Sequence, residues 1–534
     1  MTASLALAAV AWVLGGQPAA AAASAAQPAA SAAQPAAAAA PAPQPAASSS
    51  WTVYHGDAAG RGVAAPVAAV NTTTRAWTSP VLDGQIYGEP LVSSGRVYVA
   101  TQNDTVYALS AATGAVAWSA HLGSPVPSTG LPCGNISPTV GITGTPVIDQ
   151  SRGEIFVVAD ELVNGKPAHM LTGLATASGK VEVTQDVDPA GADTAALLQR
   201  TGLTLDDGQV VFAMGGNYGD CAAYRGRVIA VPETGGAPKV FTVDAAAGQS
   251  QGAIWMGGAA PVVDSSGDIW VSTGNGSVDS SSQPYDNSDS MLELSPSLKL
   301  LQFFAPTTWA TDNSQDLDMS TAPALLNDGQ VIVAGKSRIV YLLNGAHLGG
   351  IGGQQADLGA ACNQDIDGGV AVQGTTVYLA CYSGIIAVGA VQSPAALHLL
   401  WSAQTGGGPA IVAAGLVWTI GQNGVLYGLS PATGEVRQQA SIGALANHFP
   451  TPSVADGLLL APTADQVVAF PASDSAAAGP PAPGTSQLPT SQASGPPTAA
   501  APDGGGLPAG AIAGLVAAGV LVICGAGWLV WRRR

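Results

Sequence analysis

Positive charge is the scarcest ingredient of this chain. Its 534 residues include 17 Lys and Arg against 35 Asp and Glu, a formal net charge of −18, and three of the basic residues are the last three. Such an acidic surface repels phosphate backbones, which excludes nucleic acid as a partner. Histidine is sparse too: six residues, scattered, with no His-Glu-x-x-His and therefore no zinc-peptidase helix. No Cys-x-x-Cys-His occurs, so there is no site for covalent haem and no built-in electron acceptor. Gly248-Gln-Ser250-Gln-Gly252 matches the serine-hydrolase pattern but lacks the strand-to-helix context that exposes a nucleophile. Residues 1–4 carry no Lys or Arg, unlike the usual start of a secretory leader. The apolar run at 5–16 and the small residues after it still read as a signal peptide over 1–23.

What is abundant is small and turn-forming. The chain has 68 Gly and only 10% charged residues, a balance suited to an all-β fold rich in turns. Residues 24–50 continue an Ala/Pro-rich stretch in which Gln-Pro-Ala-Ala recurs from Gln17 onward, too polar and too simple to bury a core. Residues 471–506 form a second Pro-rich spacer. Residues 507–531 carry no charge and are long enough to span a bilayer; 532–534 are three Arg that would stay in the cytoplasm. The expectation is a single-pass membrane protein with the rest of the chain outside the cell. Four Cys (Cys133, Cys221, Cys362 and Cys381) lie in that exported part, where disulfides form, and we pair Cys133 with Cys221 and Cys362 with Cys381.

Between residues 51 and 470 one unit repeats. Pro90-Leu-Val-Ser-Ser-Gly95-Arg-Val-Tyr-Val-Ala is followed by Thr105-Val-Tyr-Ala-Leu, a Thr113-Gly114 turn and a strand ending in Trp118. Copies are marked by Gly95, Gly153, Gly208, Gly267, Gly329, Gly374, Gly415 and Gly457. Four strands cannot bury both of their faces, so repetition at this period predicts blades stacked around an axis, an eight-bladed β-propeller. The last copy lacks a fourth strand, and Arg75-Ala-Trp77-Thr-Ser-Pro-Val81 is the candidate to supply it, closing the ring from the other terminus.

With strands A to D running outward from the axis, B–C turns and D–A crossings share one face. All four Cys fall on that face, as do the long polar loops around Asp220, Asn275, Asp312 and Lys336. Gly274-Asn275-Gly276 suits a left-handed turn.

The segment Tyr107-Ala-Leu-Ser-Ala-Ala-Thr-Gly114-Ala-Val-Ala-Trp118 resembles the repeat of pyrroloquinoline quinone (PQQ) propellers. Trp51-Thr-Val-Tyr54-His-Gly-Asp57 is similar to the opening segment of quinoprotein alcohol dehydrogenases. That resemblance implies PQQ and a divalent metal, usually Ca2+, over the ring axis. It places Asp220 and Asn275 as metal ligands, Trp255 under the quinone and Lys336 at its oxygens. It leaves Asp312, Asp316 and Asp318 as alternatives for one catalytic base. The pattern is departed from in two ways. The family's adjacent Cys pair is here Cys133-Gly134, and its metal-binding Glu is the shorter Asp220. The expectation is therefore a membrane-anchored propeller used for binding or assembly in the envelope, taking an envelope protein or a small polar ligand on the loop face. The alternative is a PQQ/Ca-dependent alcohol or sugar dehydrogenase.

Overall fold

The computed structural model describes residues 50–473; the expected leader, most of the Ala/Pro-rich segment, nearly all of the spacer and the apolar segment at 507–531 lie outside the described residues. Among the described residues no helix is long and apolar enough to cross a membrane. Within them the chain forms eight antiparallel blades. The first has strands Leu91–Ser93, Arg96–Ala100, Thr105–Ser110 and Val116–His121. The pattern recurs with Val147–Asp149, Thr204–Asp206, Val262–Val263, Ala324–Leu325, Ala371–Gln373 and Ile411–Ala413 opening blades 2 to 7, the last with outer strand Val436–Ser441. Each A–B turn places its marker glycine at positive φ, from +66° at Gly374 to +82° at Gly267 and Gly329, a region other L-residues enter only at a cost.

Burial follows strand position. B and C strands are covered on both faces by neighbouring blades, so Gln209–Gly216 and Ser290–Leu294 are buried throughout. Outer strands such as Val116–His121 face solvent and alternate. Blades are joined by a repeated contact: Trp77, Trp118 and Trp401 cover Gly114, Gly179 and Gly434 in the C–D turn of the next blade. A Cβ at any of these glycines would come within 2.5 Å of the indole. Each indole N–H also donates to a carbonyl three residues before that glycine, at Ala111 (2.7 Å), Thr176 (2.9 Å) and Pro431 (2.8 Å).

The ring closes as the repeat count demands. Trp77–Thr78 pairs antiparallel with Ala469 and Val468, completing blade 8 (Ser453–Ala455, Leu458–Pro462, Val467–Ser473). Ala69–Val70 adds a further pairing with Ser473 and Ala472, which carries the last strand three residues past the expected boundary at 470. One excursion breaks the regularity: after its C strand blade 5 sends Gly350–Ile351 to pair in parallel with the outer strand of blade 4, then returns as Ala356–Leu358.

Candidate functional site

Both expected cross-links are present, with Cα atoms 6.2 Å apart for Cys133–Cys221 and 5.9 Å for Cys362–Cys381. The first ties the crossing between blades 1 and 2 to the B–C loop of blade 3, next to Asp220. The loop face therefore has a covalently fixed rim.

Inside that rim the loops bring Asp220, Asn275, Asp316, Asp318 and Lys336 together. The half-buried Lys336 ammonium lies 2.8 Å from Asp316 Oδ1 and 2.5 Å from Asp318 Oδ2. Burial alone would lower its pKa, but the two carboxylates outweigh burial and hold it well above its ordinary value. Asn275 donates its side-chain N–H to Asp316 Oδ1 (2.9 Å) and its backbone N–H to Asp318 Oδ1 (2.8 Å), leaving its own Oδ1 buried without a partner. Asp220, in the left-handed region at φ +48°, accepts the Tyr224 hydroxyl at 2.6 Å. Burial raises the Asp220 carboxyl above its usual range, Tyr224 opposes the shift, and the charges of Asp318 and Asp316 add to it.

Asp312 stands apart. It sits on a short helix, Trp309–Gln315, and its carboxylate accepts the Thr308 hydroxyl at 2.6 Å. The same helix is pinned to the Asn275 loop through Asn313, which accepts the Gly276 N–H (2.7 Å) and donates to Val278 O (2.6 Å). The reading of Gly274-Asn275-Gly276 as a left-handed turn is corrected: none of the three has a positive φ. The glycines are needed for space, since a Cβ at Gly274 would meet Asp318 Oδ1 at 2.3 Å and one at Gly276 would meet Asp286 Oδ2 at 2.4 Å.

Trp255 is half-buried against an apolar cluster of Tyr87, Ile136, Val140 and Leu198, with Leu131 and Ala446 beside it. Near it is a residue that nothing in the local sequence marks. Arg200 is buried (8% exposed), donates Nη1 to Thr143 O at 3.0 Å and leaves Nη2 without a partner. Its guanidinium lies 5.6 Å from the Tyr87 ring centre and 6.0 Å from that of Phe449. Burial lowers its pKa to about 10. Thr143, Arg200, Gly258 and Phe449 precede the innermost strands of blades 2, 3, 4 and 8, so this cation lies at the ring axis. A Cβ at Gly258 would come 2.4 Å from Arg200 Nη1, so that glycine makes its room.

A family model described as outer membrane protein assembly factor BamB matches residues 44–278. Among solved structures, the quinohemoprotein alcohol dehydrogenase of Comamonas testosteroni is 15% identical, with a TM-score of 0.59 and 83% of each chain covered. The chain has the fold of the PQQ-repeat β-propellers. A quinohemoprotein alcohol dehydrogenase of Pseudomonas putida HK5 is similar at 14% identity (TM-score 0.59, 82% of each chain). A europium-containing methanol dehydrogenase is similar at 12% identity (TM-score 0.59, 79% of this chain and 98% of that one). At such identities the likeness is one of fold. No curated protein matches the chain.

For the cation that a PQQ propeller can carry, the donor set of this one does not fit as arranged. Calcium takes about six to eight oxygens. Here Asp316 and Asp318 are held by an ammonium, Asp220 by a phenol, and of the expected donors only Asn275 Oδ1 is buried and free. A second acidic trio, Asp264, Asp268 and Glu293, gathers within 4.8 Å on the opposite face of the propeller. Asp264 there already accepts the N–H groups of Ser266, Asp268 and Trp270.

Proposed function

We propose that this PQQ-repeat propeller is a binding or assembly module of the cell envelope, held outside a membrane by the segment at 507–531 through the spacer at 471–506. Its loop face takes an envelope protein or a small polar ligand. The observation that carries the reading is Lys336: its ammonium sits on both Asp316 and Asp318, where a quinoprotein would need free carboxylate to bind a cation and take a proton. Two disulfides suit an oxidising compartment, in line with a propeller outside the cytoplasm. The match to a BamB-described family model is compatible with an envelope role. The alternative, a PQQ- and Ca2+-dependent dehydrogenase with Trp255 and Lys336 at the quinone, is opposed by the same ion pairs.

The test is dye reduction by the full chain incubated with PQQ and Ca2+, over a panel of alcohols and aldoses, beside an Asn275→Ala control. No turnover above background is expected. Robust turnover that disappears in the Asn275→Ala protein would overturn the binding-module reading in favour of the enzyme. Protease treatment of intact cells should cleave the propeller, and full protection would contradict its external placement.

A further inference from the structure

Beside the acidic cluster, behind Tyr224, the propeller has a separate cavity. It has a volume of about 340 Å³, and its walls include Arg225, Arg227, Gln249 and Ser250, with Asp193 among its exposed rim residues. A cavity of this size holds a sugar-sized molecule. Two guanidiniums side by side are unusual in a chain with twice as many acids as bases, and here no carboxylate pairs with either among the described residues. Arg225 donates hydrogen bonds to the carbonyls of Ala245 (3.5 Å) and Ala246 (3.3 Å), with Asp244 acting on it through charge rather than contact, and Arg227 Nη1 is buried with no partner. Burial and the charge of Arg225 both depress the pKa of Arg227, against a weaker opposing pull from Asp188.

The backbone holds this pair in place. Gly226, between the two arginines, donates to Gln251 O at 2.7 Å, and a Cβ there would overlap Gly252 O at 1.6 Å. The Arg-Gly-Arg segment therefore runs flush against residues 248–252, and side chains two residues apart leave a strand on the same side. The opposing loop is fixed in turn, since Ser250 donates its N–H to Ser277 Oγ at 2.9 Å. Its hydroxyl and the Gln249 amide remain beside the two cations. The GxSxG match thus contributes Gln249 and Ser250 to the wall of this cavity.

We propose that this cavity binds a small phosphorylated ligand, a phosphate monoester on a neutral, sugar-sized body, with the dianion held by Arg225 and Arg227 and the hydroxyls of the body by Gln249 and Ser250. Guanidiniums match a tetrahedral oxyanion in both charge and geometry, and a dianion neutralises two cations that the fold leaves unpaired. The site is separate from the Lys336 cluster and does not depend on how that cluster is read.

The experiment is calorimetric titration of the full chain with glucose 6-phosphate, inorganic phosphate and glucose. Glucose 6-phosphate should bind, inorganic phosphate should compete with it, and glucose alone should not bind. Arg225→Gln and Arg227→Gln should each weaken binding about tenfold or more. On the unsubstituted chain, phosphate should shield both arginines from phenylglyoxal, a readout that does not require the variants to fold. Equal labelling with and without phosphate, equal binding of glucose, or unchanged affinity in folded variants would each overturn the proposal.

Discussion

A carboxyl group enclosed without a hydrogen-bond partner keeps its proton to higher pH than a free one, and the loop face of this propeller encloses several. Burial pushes the Asp160 carboxyl up to about 7, Asp244 to about 8 and Asp104 to about 9, the last also repelled by Glu161, Asp160 and Asp83. His169 is fully buried, which alone would lower its pKa, but Asp160 and Asp188 raise it to about 9. Each group binds its proton more tightly in the folded state than in the unfolded chain, where Asp titrates near ~3.9 and His near ~6.5. For the acids, stability is fullest below ~4 and is lost as pH rises through the folded values; for His169 it is full below ~6.5 and lost through about 9. The melting temperature should therefore fall steadily as pH is raised from about 5 to about 9. Asp104→Asn should flatten that slope and raise the midpoint at the alkaline end, as calorimetry across the range would show; a flat or rising profile would contradict the assignment. At this scale the sequence was only partly legible. Asp220, Asn275 and Lys336 stood out because they sit in loops that resemble a known arrangement. Asp104 did not, because within Thr101-Gln-Asn-Asp104-Thr it looks like any turn aspartate; its burial comes from Gly141 in the next crossing, whose Cβ would lie 2.5 Å from the carboxylate. Arg200 was missed for the same reason: its surroundings come from four other segments of the ring.

Elements that repeat could be read, and those fixed by distant partners could not. The A–B turn glycines and the Trp-bearing outer strands each carry a local reason for their identity, which is why both blade order and the face of the four Cys follow from spacing. The helix Trp309–Gln315 has no such signal. From Asp312 onward it looks like the start of the acidic loop that runs on to Asp318, and what holds the helix is Asn313 bonding to Gly276, Val278 and Ser288 in the B–C loop of blade 4. The same contrast orders the two cross-links. Cys133–Cys221 closes a span of 88 residues and Cys362–Cys381 one of 19. On loop entropy alone the first should contribute about 4.6 kcal/mol and the second about 3.2 kcal/mol. Denaturant midpoints of the two double-serine variants should fall in that order. A larger loss for Cys362→Ser/Cys381→Ser would mean that local packing around blade 6, not chain constraint, sets the cost.

For the whole molecule the governing fact is that a closed propeller leaves only the short outer edges of its blades, and here the closure depends on a two-residue strand far from the strand it completes. Trp77–Thr78 supplies the outer strand of blade 8 while the Trp77 ring covers Gly114 of blade 1, so one residue joins the last blade to the first. The sequence disclosed this because the eighth copy ended one strand short and Trp77 stood where Trp118 stands in blade 1. It did not disclose the added Ala69–Val70 pairing, since those two residues carry no repeat pattern. Trp401 offers the comparison, making the same kind of contact between blades 6 and 7 from a strand that the chain holds on both sides. Each Trp→Ala change should cost roughly 3–5 kcal/mol by lost packing. Only Trp77→Ala should also release the closing strand, exposing the edge of Val467–Ser473 to pairing with another chain. The expected outcome is a lowered melting temperature in both variants, with new protease cleavage between residues 60 and 90 and self-association on gel filtration in Trp77→Ala alone. If Trp401→Ala associates equally, or if Trp77→Ala stays monomeric and resists cleavage, then the ring is held shut by the Ala69–Val70 pairing and the hydrogen bonds from Ala76 and Ser79, and Trp77 is only one packing contact among many.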